Sequence, residues 1–125
     1  MKINIRFECL DGYYYLDLND NKYIVDTNID NFDSVSGELT DDNYSKFKNI
    51  FGKTNICLWE SKYEINGLVI EDSVKWSVKY TDDDNITYSS VGEEGYWPYE
   101  YDTLVDALMI IDKKIEFFRS NKEGE

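Results

Sequence analysis

The sequence predicts an α+β fold, in which an antiparallel sheet of meander hairpins packs against a C-terminal helix and carries a short helix in the middle of the chain. One observation is the strict alternation of apolar and polar residues from Lys2 to Cys9, the period of a strand with one buried face. A second is the tight-turn dipeptide Asp11-Gly12, which separates this run from another alternating run. The third is a helical stripe of apolar residues between Leu104 and Phe118.

The N-terminal strands are expected to form the meander. The run from Tyr13 to Leu18 alternates like the first, so these two strands should form a hairpin. The turn signal Asn19-Asp20-Asn21 then precedes the short run from Tyr23 to Val25, which predicts a third antiparallel strand. Residues 26–40 are rich in Asp, Asn, Ser and Gly with few apolar anchors, which predicts a surface loop.

A short helix is predicted next. Thr40 or Asp41 can cap it, and Gly52 can end it. Its apolar residues fall at helical spacing: Tyr44, Phe47, Ile50 and Phe51.

Two apolar runs after this helix predict more sheet, at residues 55–59 and 62–70. Asn66-Gly67 in the second run is a strong hairpin-turn signal. Cys9 and Cys57 both fall in strand-like runs and are expected to be reduced core thiols rather than a disulfide.

The C-terminal part predicts a second hairpin and the long helix. Residues 74–80 alternate, residues 81–85 form a turn, and residues 86–91 form the returning strand. A Gly-rich loop at 92–98 leads to a helix at 103–118. The apolar face of this helix is Leu104, Ala107, Leu108, Ile111, Ile115 and Phe118.

The ends of that helix also have signals. Asp102 and Thr103 are candidate caps, and Asp102 and Asp106 suit its positive end, whereas Lys113, Lys114 and Arg119 suit its negative end. The tail after about residue 119 is expected to fray.

Composition predicts one folded, acidic domain over residues 1–125. The hydrophobic content of 42% is too high for a disordered acidic tail, and 26 acids against 13 bases give a net charge of −13. That charge argues against nucleic acids and anionic membranes as direct partners and favours a basic protein. The sequence has no 18-residue apolar stretch and begins with a strand pattern, so a cytoplasmic protein is expected.

The residue types give little support for catalysis, and the protein is predicted not to be an enzyme. The chain has no His, which removes the commonest general base and metal ligand, and it has no phosphate-binding glycine loop. Asp17, Asn19 and Asn21 have the spacing of a calcium loop, but Lys22 and Asn28 replace its required Gly and Glu. We therefore expect no metal and no cofactor.

Two long segments are strongly acidic. Thr81 to Ile111 holds eight carboxylates and no Lys or Arg, and Asp17 to Asp42 holds eight more with only Lys22 to offset them. Self-repulsion of this kind destabilises a folded protein, so the negative field is expected to serve partner binding. The segment from Asp17 to Asp42 is called the first acidic block, and the segment from Thr81 to Ile111 is called the second acidic block.

The predicted contact surface lies in the second block, where aromatic rings stand beside carboxylates. We expect the carboxylates to pair with Arg and Lys and two rings, Tyr96 and Trp97, to anchor apolar contacts. The predicted partner-binding residues are Asp82, Asp83, Asp84, Glu93, Glu94, Tyr96, Trp97 and Glu100.

In its size, charge and lack of His, the whole chain resembles the acidic, DNA-mimicking anti-CRISPR proteins of phages. The resemblance implies an inhibitor that occupies the basic DNA-binding channel of an RNA-guided CRISPR nuclease. An immunity protein that neutralises a basic toxin nuclease requires the same electrostatics. A small carboxylate-dependent hydrolase is the alternative from another class.

Overall fold

Seven strands and two α-helices form the described part of the chain, residues 1–29, 33–63 and 74–120 of a computed structural model. The strands are β1 (Lys2–Cys9), β2 (Gly12–Asn19), β3 (Lys22–Thr27), β4 (Asp33–Glu38), β5 (Lys62–Tyr63), β6 (Lys75–Thr81) and β7 (Thr87–Glu93). The helices are α1 (Asp41–Phe51) and α2 (Tyr101–Leu108), with 3₁₀ turns at Gly52–Thr54, Ile56–Leu58 and Lys113–Phe118.

The strands form one sheet in the order β4-β3-β2-β1-β6-β7-β5. Every neighbouring pair is antiparallel except β5 and β7, which pair in parallel through Lys62 opposite Val91 and Tyr63 opposite Gly92. The predicted α+β class, with a mostly antiparallel sheet and two helical segments packed on it, is confirmed.

Alternation along the strands places the core on one face of this sheet. Ile3 and Ile5 of β1 are fully buried, as is Leu16 on the paired strand β2. The C-terminal segment packs on the same face, where the Phe118 ring stacks on Phe7 with 4.1 Å between centroids. The polar residues between the buried positions of the strands form the opposite face, here called the outer face.

The prediction of a loop at residues 26–40 is wrong over its second half, because Asp33–Glu38 form β4, an edge strand beside β3. Val35 pairs with Val25, but Val35 remains exposed. An edge strand needs backbone hydrogen bonds to only one neighbour, so a polar, Gly-containing sequence can form it without an apolar pattern.

The prediction of a strand at 55–59 is also wrong. Asn55 adopts a left-handed conformation with φ of 52°, and a 3₁₀ helix follows it. Ile56 is buried there, but Cys57 is exposed. Cys57 is therefore not a core residue, and Cys9 is only half-buried; both are free thiols. Of the run predicted at 62–70, only β5 lies within the described residues, and the Asn66-Gly67 turn lies outside them.

The continuous helix predicted at 103–118 is instead two helices with a break between them. Asp112 has an extended backbone, and its side chain accepts hydrogen bonds from the Tyr14 hydroxyl (2.7 Å) and from Lys114 N (3.2 Å). The apolar stripe was nevertheless predicted well, since five of its six residues are buried and Ile111 is half-buried. Both arrangements place those residues on the sheet, so the stripe alone did not distinguish them.

The predicted caps of the C-terminal helix are wrong. α2 begins at Tyr101, before both candidates, and Glu100 at its N-cap makes no side-chain capping bond. Asp102 instead accepts hydrogen bonds from the Ser120 backbone (2.9 Å) and hydroxyl (2.6 Å). Arg119 pairs with Asp106 (2.6 Å) and Glu116 (2.7 Å), which ties the last 3₁₀ turn to α2.

The second hairpin is confirmed, with β7 running two residues further than predicted. Gly92 and Glu93 belong to this strand and not to the following loop. A side chain at Gly92 would overlap the indole of Trp76 on the neighbouring strand, which explains the glycine. Among the described residues, no helix is both long enough and apolar enough to cross a membrane.

Candidate functional site

The carboxylates of the turn between β6 and β7 divide into one that builds the turn and two that project from it. Asp82 Oδ1 accepts hydrogen bonds from the backbone N–H groups of Asp84 (2.9 Å) and Ile86 (3.0 Å). Asn85 closes the turn with φ of 63°, a conformation that Asn tolerates. Asp83 and Asp84 are exposed, so they are the members of this triplet that a partner can reach.

The fold brings the two acidic blocks together at this end of the sheet. The Met1 ammonium pairs with Asp20 in the β2–β3 turn (2.8 Å) and with Asp83 (3.0 Å), so these two carboxylates share one cation. The pairing raises the pKa of the ammonium and lowers the pKa of Asp20, mainly through their hydrogen bond.

Helix α1 starts at the same end. Its N-cap follows Leu39, whose backbone N–H bonds to the Asn21 carbonyl in the β2–β3 turn (2.8 Å). Burial, and then the negative charges of Asp20 and Asp83, raise the pKa of Tyr44 in α1. We call this group of carboxylates the acidic end: Asp20, Glu38, Asp41, Asp42, Asp82, Asp83 and Asp84.

Positive groups offset the acidic end only in part. Lys2 lies there and helps to lower the pKa of Asp20 by its charge, and Lys22 is 3.9 Å from Glu38. Lys79 lines the same cavity as Asp20, Asp82 and Asp83, so with the Met1 ammonium four positive charges face seven carboxylates. The end therefore keeps a net negative charge.

The size of the acidic end can be compared with that of a nucleic acid strand. Neighbouring strands lie about 4.8 Å apart, so the five intervals from β4 to β7 span about 24 Å. One strand of duplex DNA carries a charge about every 3.4 Å along the axis, or about seven over that length. The acidic end holds a similar number of carboxylates.

The remaining predicted contact residues lie at the opposite end of β7. Glu94 is exposed, whereas Glu93 is buried and not directly reachable by a protein partner. Glu100 is half-buried and accepts a hydrogen bond from Asn55 Nδ2 (3.3 Å). The structure thus separates the eight predicted residues into two groups, and the role of both groups in binding stays a prediction.

Both predicted aromatic anchors are half-buried, and Trp97 packs against rings of the core. Its ring is tilted against Tyr101 (4.2 Å between centroids) and stacks on Trp76 (6.2 Å). Tyr96 is half-buried, and the most exposed ring in this region is Tyr99, at 90%. Tyr99 is not among the predicted contact residues, because the alternation of aromatic and acidic residues before the helix does not indicate which rings face outward.

The acidic end is also larger than the predicted contact, which lay in the second block alone. Asp20 of the first block shares the Met1 ammonium with Asp83, and Asp41 and Asp42 begin α1, which follows β4 at the same end. Only the pairing of β1 with both β2 and β6 brings the two turns together. No local pattern reports that pairing.

The outer face of the sheet, by contrast, is nearly balanced in charge. The strand registers place six bases there, Lys2, Arg6, Lys22, Lys62, Lys75 and Lys79, and five acids, Glu8, Asp17, Asp26, Glu38 and Glu93. At its centre, Arg6 holds Asp17 through two hydrogen bonds (2.7 and 3.2 Å) and lies 4.9 Å from the Tyr15 ring centroid. The excess negative charge therefore belongs to the ends of the sheet rather than to this face.

Neither a metal site nor a family relationship adds to this picture. In residues 1–29, 33–63 and 74–120, no three His, Cys, Asp or Glu side chains are grouped so that they could hold a metal ion. The chain matches no model of a protein family, and no curated protein matches its sequence.

Proposed function

We propose that this protein is an inhibitor that binds a basic, nucleic-acid-binding surface of another protein through its acidic end. The observation that carries the proposal is the meeting of both acidic blocks along one end of the sheet. An RNA-guided nuclease is the first partner to test, because its channel is lined with Lys and Arg that hold the nucleic acid backbone.

Two features of the acidic end support binding by charge. Asp83 and Asp84 project from a turn that Asp82 stabilises through two hydrogen bonds, so their backbone positions are set before a partner binds. The carboxylates also lie along one end of the sheet from β4 to β7, which gives them a spread of about 24 Å. A basic channel that accepts a DNA strand presents Lys and Arg over comparable distances.

The test is competition with DNA. A guide-loaded CRISPR nuclease is bound to a fluorescently labelled target duplex, and fluorescence anisotropy follows the release of the duplex as this protein is added. We expect release at low salt and a steep loss of potency as the ionic strength rises through the physiological range. Release that does not depend on salt would argue for shape and apolar contacts instead.

Three charge reversals then locate the contact. Asp84→Lys changes the acidic end, Glu94→Lys changes the opposite end of β7, and Glu125→Lys changes the C-terminal tail. Each alters the net charge by the same amount, so differences between them report position. Asp83→Lys is less informative, because it also breaks the contact with the Met1 ammonium.

We expect Asp84→Lys to weaken competition at least tenfold more than Glu125→Lys. Equal effects of all three variants would mean that net charge alone matters, and the largest effect at Glu94 would move the site to the other end of β7. If the protein competes with DNA on a toxin nuclease but not on the CRISPR nuclease, the proposal becomes that of an immunity protein.

A further inference from the structure

A pocket of about 300 Å³ opens on the outer face of the sheet, away from the acidic end. Its walls come from β1, β6 and β7 and include Arg6, Glu8, Lys75, Trp76 and Glu93. Lys75 starts β6, whereas the acidic turn follows the end of that strand at Thr81, which puts the two about 20 Å apart. The pocket is therefore a separate feature from the proposed inhibitory surface.

Glu93 gives this pocket its chemistry. The residue is only 8% exposed, and within the described part of the chain its Oε2 atom has no hydrogen-bonding partner. Buried carboxylate oxygens in folded proteins are almost always satisfied, because leaving one unpaired costs free energy. A hydrogen-bond donor from outside the chain would satisfy it.

A positively charged residue of the chain, Lys75, lies nearby but does not donate a hydrogen bond to this oxygen. Lys75 lies directly opposite Glu93 in the register of β6 and β7, and both side chains belong to the outer face. Lys75 is exposed, however, and does not reach Oε2. A small molecule can enter between the two side chains and contact both.

The charges on the pocket walls restrict what that molecule is. Two positive residues, Arg6 and Lys75, face two negative ones, Glu8 and Glu93, so the walls have no net charge. Arg6 is already held by Asp17, and Glu8 accepts a hydrogen bond from the Tyr15 hydroxyl (2.8 Å). Lys75 and Glu93 are left to bind a ligand.

We propose that this pocket binds a small zwitterion that carries an ammonium and a carboxylate group, of the size of a free amino acid. Its ammonium donates to Glu93 Oε2, and its carboxylate pairs with the Lys75 ammonium. The volume lies at the low end of the range for small-molecule pockets, which suits a ligand of that size. A polyanion would be repelled by Glu8 and Glu93, and a polycation by Lys75.

A tryptophan signal provides the assay. The Trp76 indole contacts Gly92, the residue before Glu93, so its Nε1–H resonance in a ¹H–¹⁵N spectrum reports on the pocket. Trp59 packs against Trp76 (6.3 Å between ring centroids), so the internal control is the backbone N–H of Ile29, which donates to Thr27 Oγ1 (3.1 Å) after β3, three strands from β6 and outside the pocket walls. Free L-amino acids are added one at a time, up to about 10 mM, which detects binding with a Kd near 1 mM.

We expect at least one amino acid to shift the Trp76 signal saturably and to leave the Ile29 signal in place. Glu93→Gln, which keeps the shape and removes the charge, should weaken that binding at least tenfold, and Lys75→Gln should also weaken it. Asp84→Lys should leave it unchanged, which separates this site from the acidic end. An unshifted Ile29 signal in each variant confirms that the fold is intact.

Three results would overturn the proposal. The first is that no amino acid gives a saturable shift, which would mean that only water satisfies Glu93. The second is equal affinity in the Glu93→Gln protein. The third is equal binding of glycine betaine, whose methylated nitrogen has no N–H to donate, because the proposed contact to Oε2 would then be absent.

Discussion

Leu108 and Ile111 were both predicted as core residues of one helix, but they differ in burial. Leu108 has no exposed surface, whereas Ile111 follows the end of α2 and is half-buried. Leu108→Ala should lower the free energy of unfolding by about 2–5 kcal/mol, the usual range for a fully buried leucine. Ile111→Ala should cost clearly less in the same urea titrations, and equal losses would contradict the break after α2.

Two buried tyrosines make the protein sensitive to alkali. Burial, followed by the hydrogen bond to Asp112, raises the pKa of Tyr14, and burial, followed by the charge of Asp102, raises the pKa of Tyr101. In the unfolded chain both hydroxyls titrate near pH 10, whereas in the folded protein they keep their protons to higher pH. Their contribution to stability is thus complete below about pH 10 and is lost as the pH rises further.

Each tyrosine should lower the free energy of unfolding by about 1.4 kcal/mol per pH unit above that point. Urea titrations between about pH 9 and about pH 11.5 measure the slope. In the Tyr14→Phe protein the fall should be less steep by about 1.4 kcal/mol per pH unit, since one group with a raised pKa is gone. Parallel curves for the two proteins would show that Tyr14 titrates normally in the folded state.

At the level of elements, the N-terminus of helix α1 is set by one of the two capping residues that the sequence predicts. Thr40 Oγ1 accepts a hydrogen bond from the Asn43 backbone (3.1 Å), as its position before an apolar periodic run predicts. Thr40→Ala should cost about 1 kcal/mol in thermal or urea unfolding. Ser45→Ala, at an exposed position inside the helix, is the matched control and should be neutral or slightly stabilising.

The last two helical segments show where such local signals fail. Asp112 lies within a helical apolar stripe, yet its carboxylate binds the Tyr14 hydroxyl and the next helical turn, and its backbone is extended. Tyr14 is 98 residues away in the chain, so this contact leaves no local pattern. The identity of the buried residues was therefore predictable, but the break between them was not.

At the level of the whole molecule, the net charge of −13 should make stability depend on salt. Like charges at the acidic end repel one another in the folded state more than in the expanded unfolded chain. Raising NaCl from about 10 mM to about 500 mM shortens the screening length from about 30 Å to a few Å, so the free energy of unfolding should increase. A decrease would mean that ion pairs such as Arg119–Asp106 outweigh the repulsion.

Local periodicity was sufficient for the fold class and for most of the core. The alternation in β1 and in β6 identified their buried faces, because a strand places successive side chains on opposite sides. It was insufficient for β4, whose edge position demands no apolar pattern, and for the 3₁₀ turn after Asn55, which depends on one backbone conformation. Composition likewise predicted a strongly negative protein without saying where the charge collects.

The sequence by itself determined which residues alternate and where α1 begins to within one residue, because both depend on neighbours within a few positions, and its composition determined how negative the molecule is. Only the tertiary structure decided that Asp20 and Asp83 share one ammonium and that Glu93 is buried with an unpaired oxygen. Both follow from the placement of β1 between β2 and β6 and of β6 beside β7. Strand order depends on packing summed over the whole chain, so no single segment encodes it.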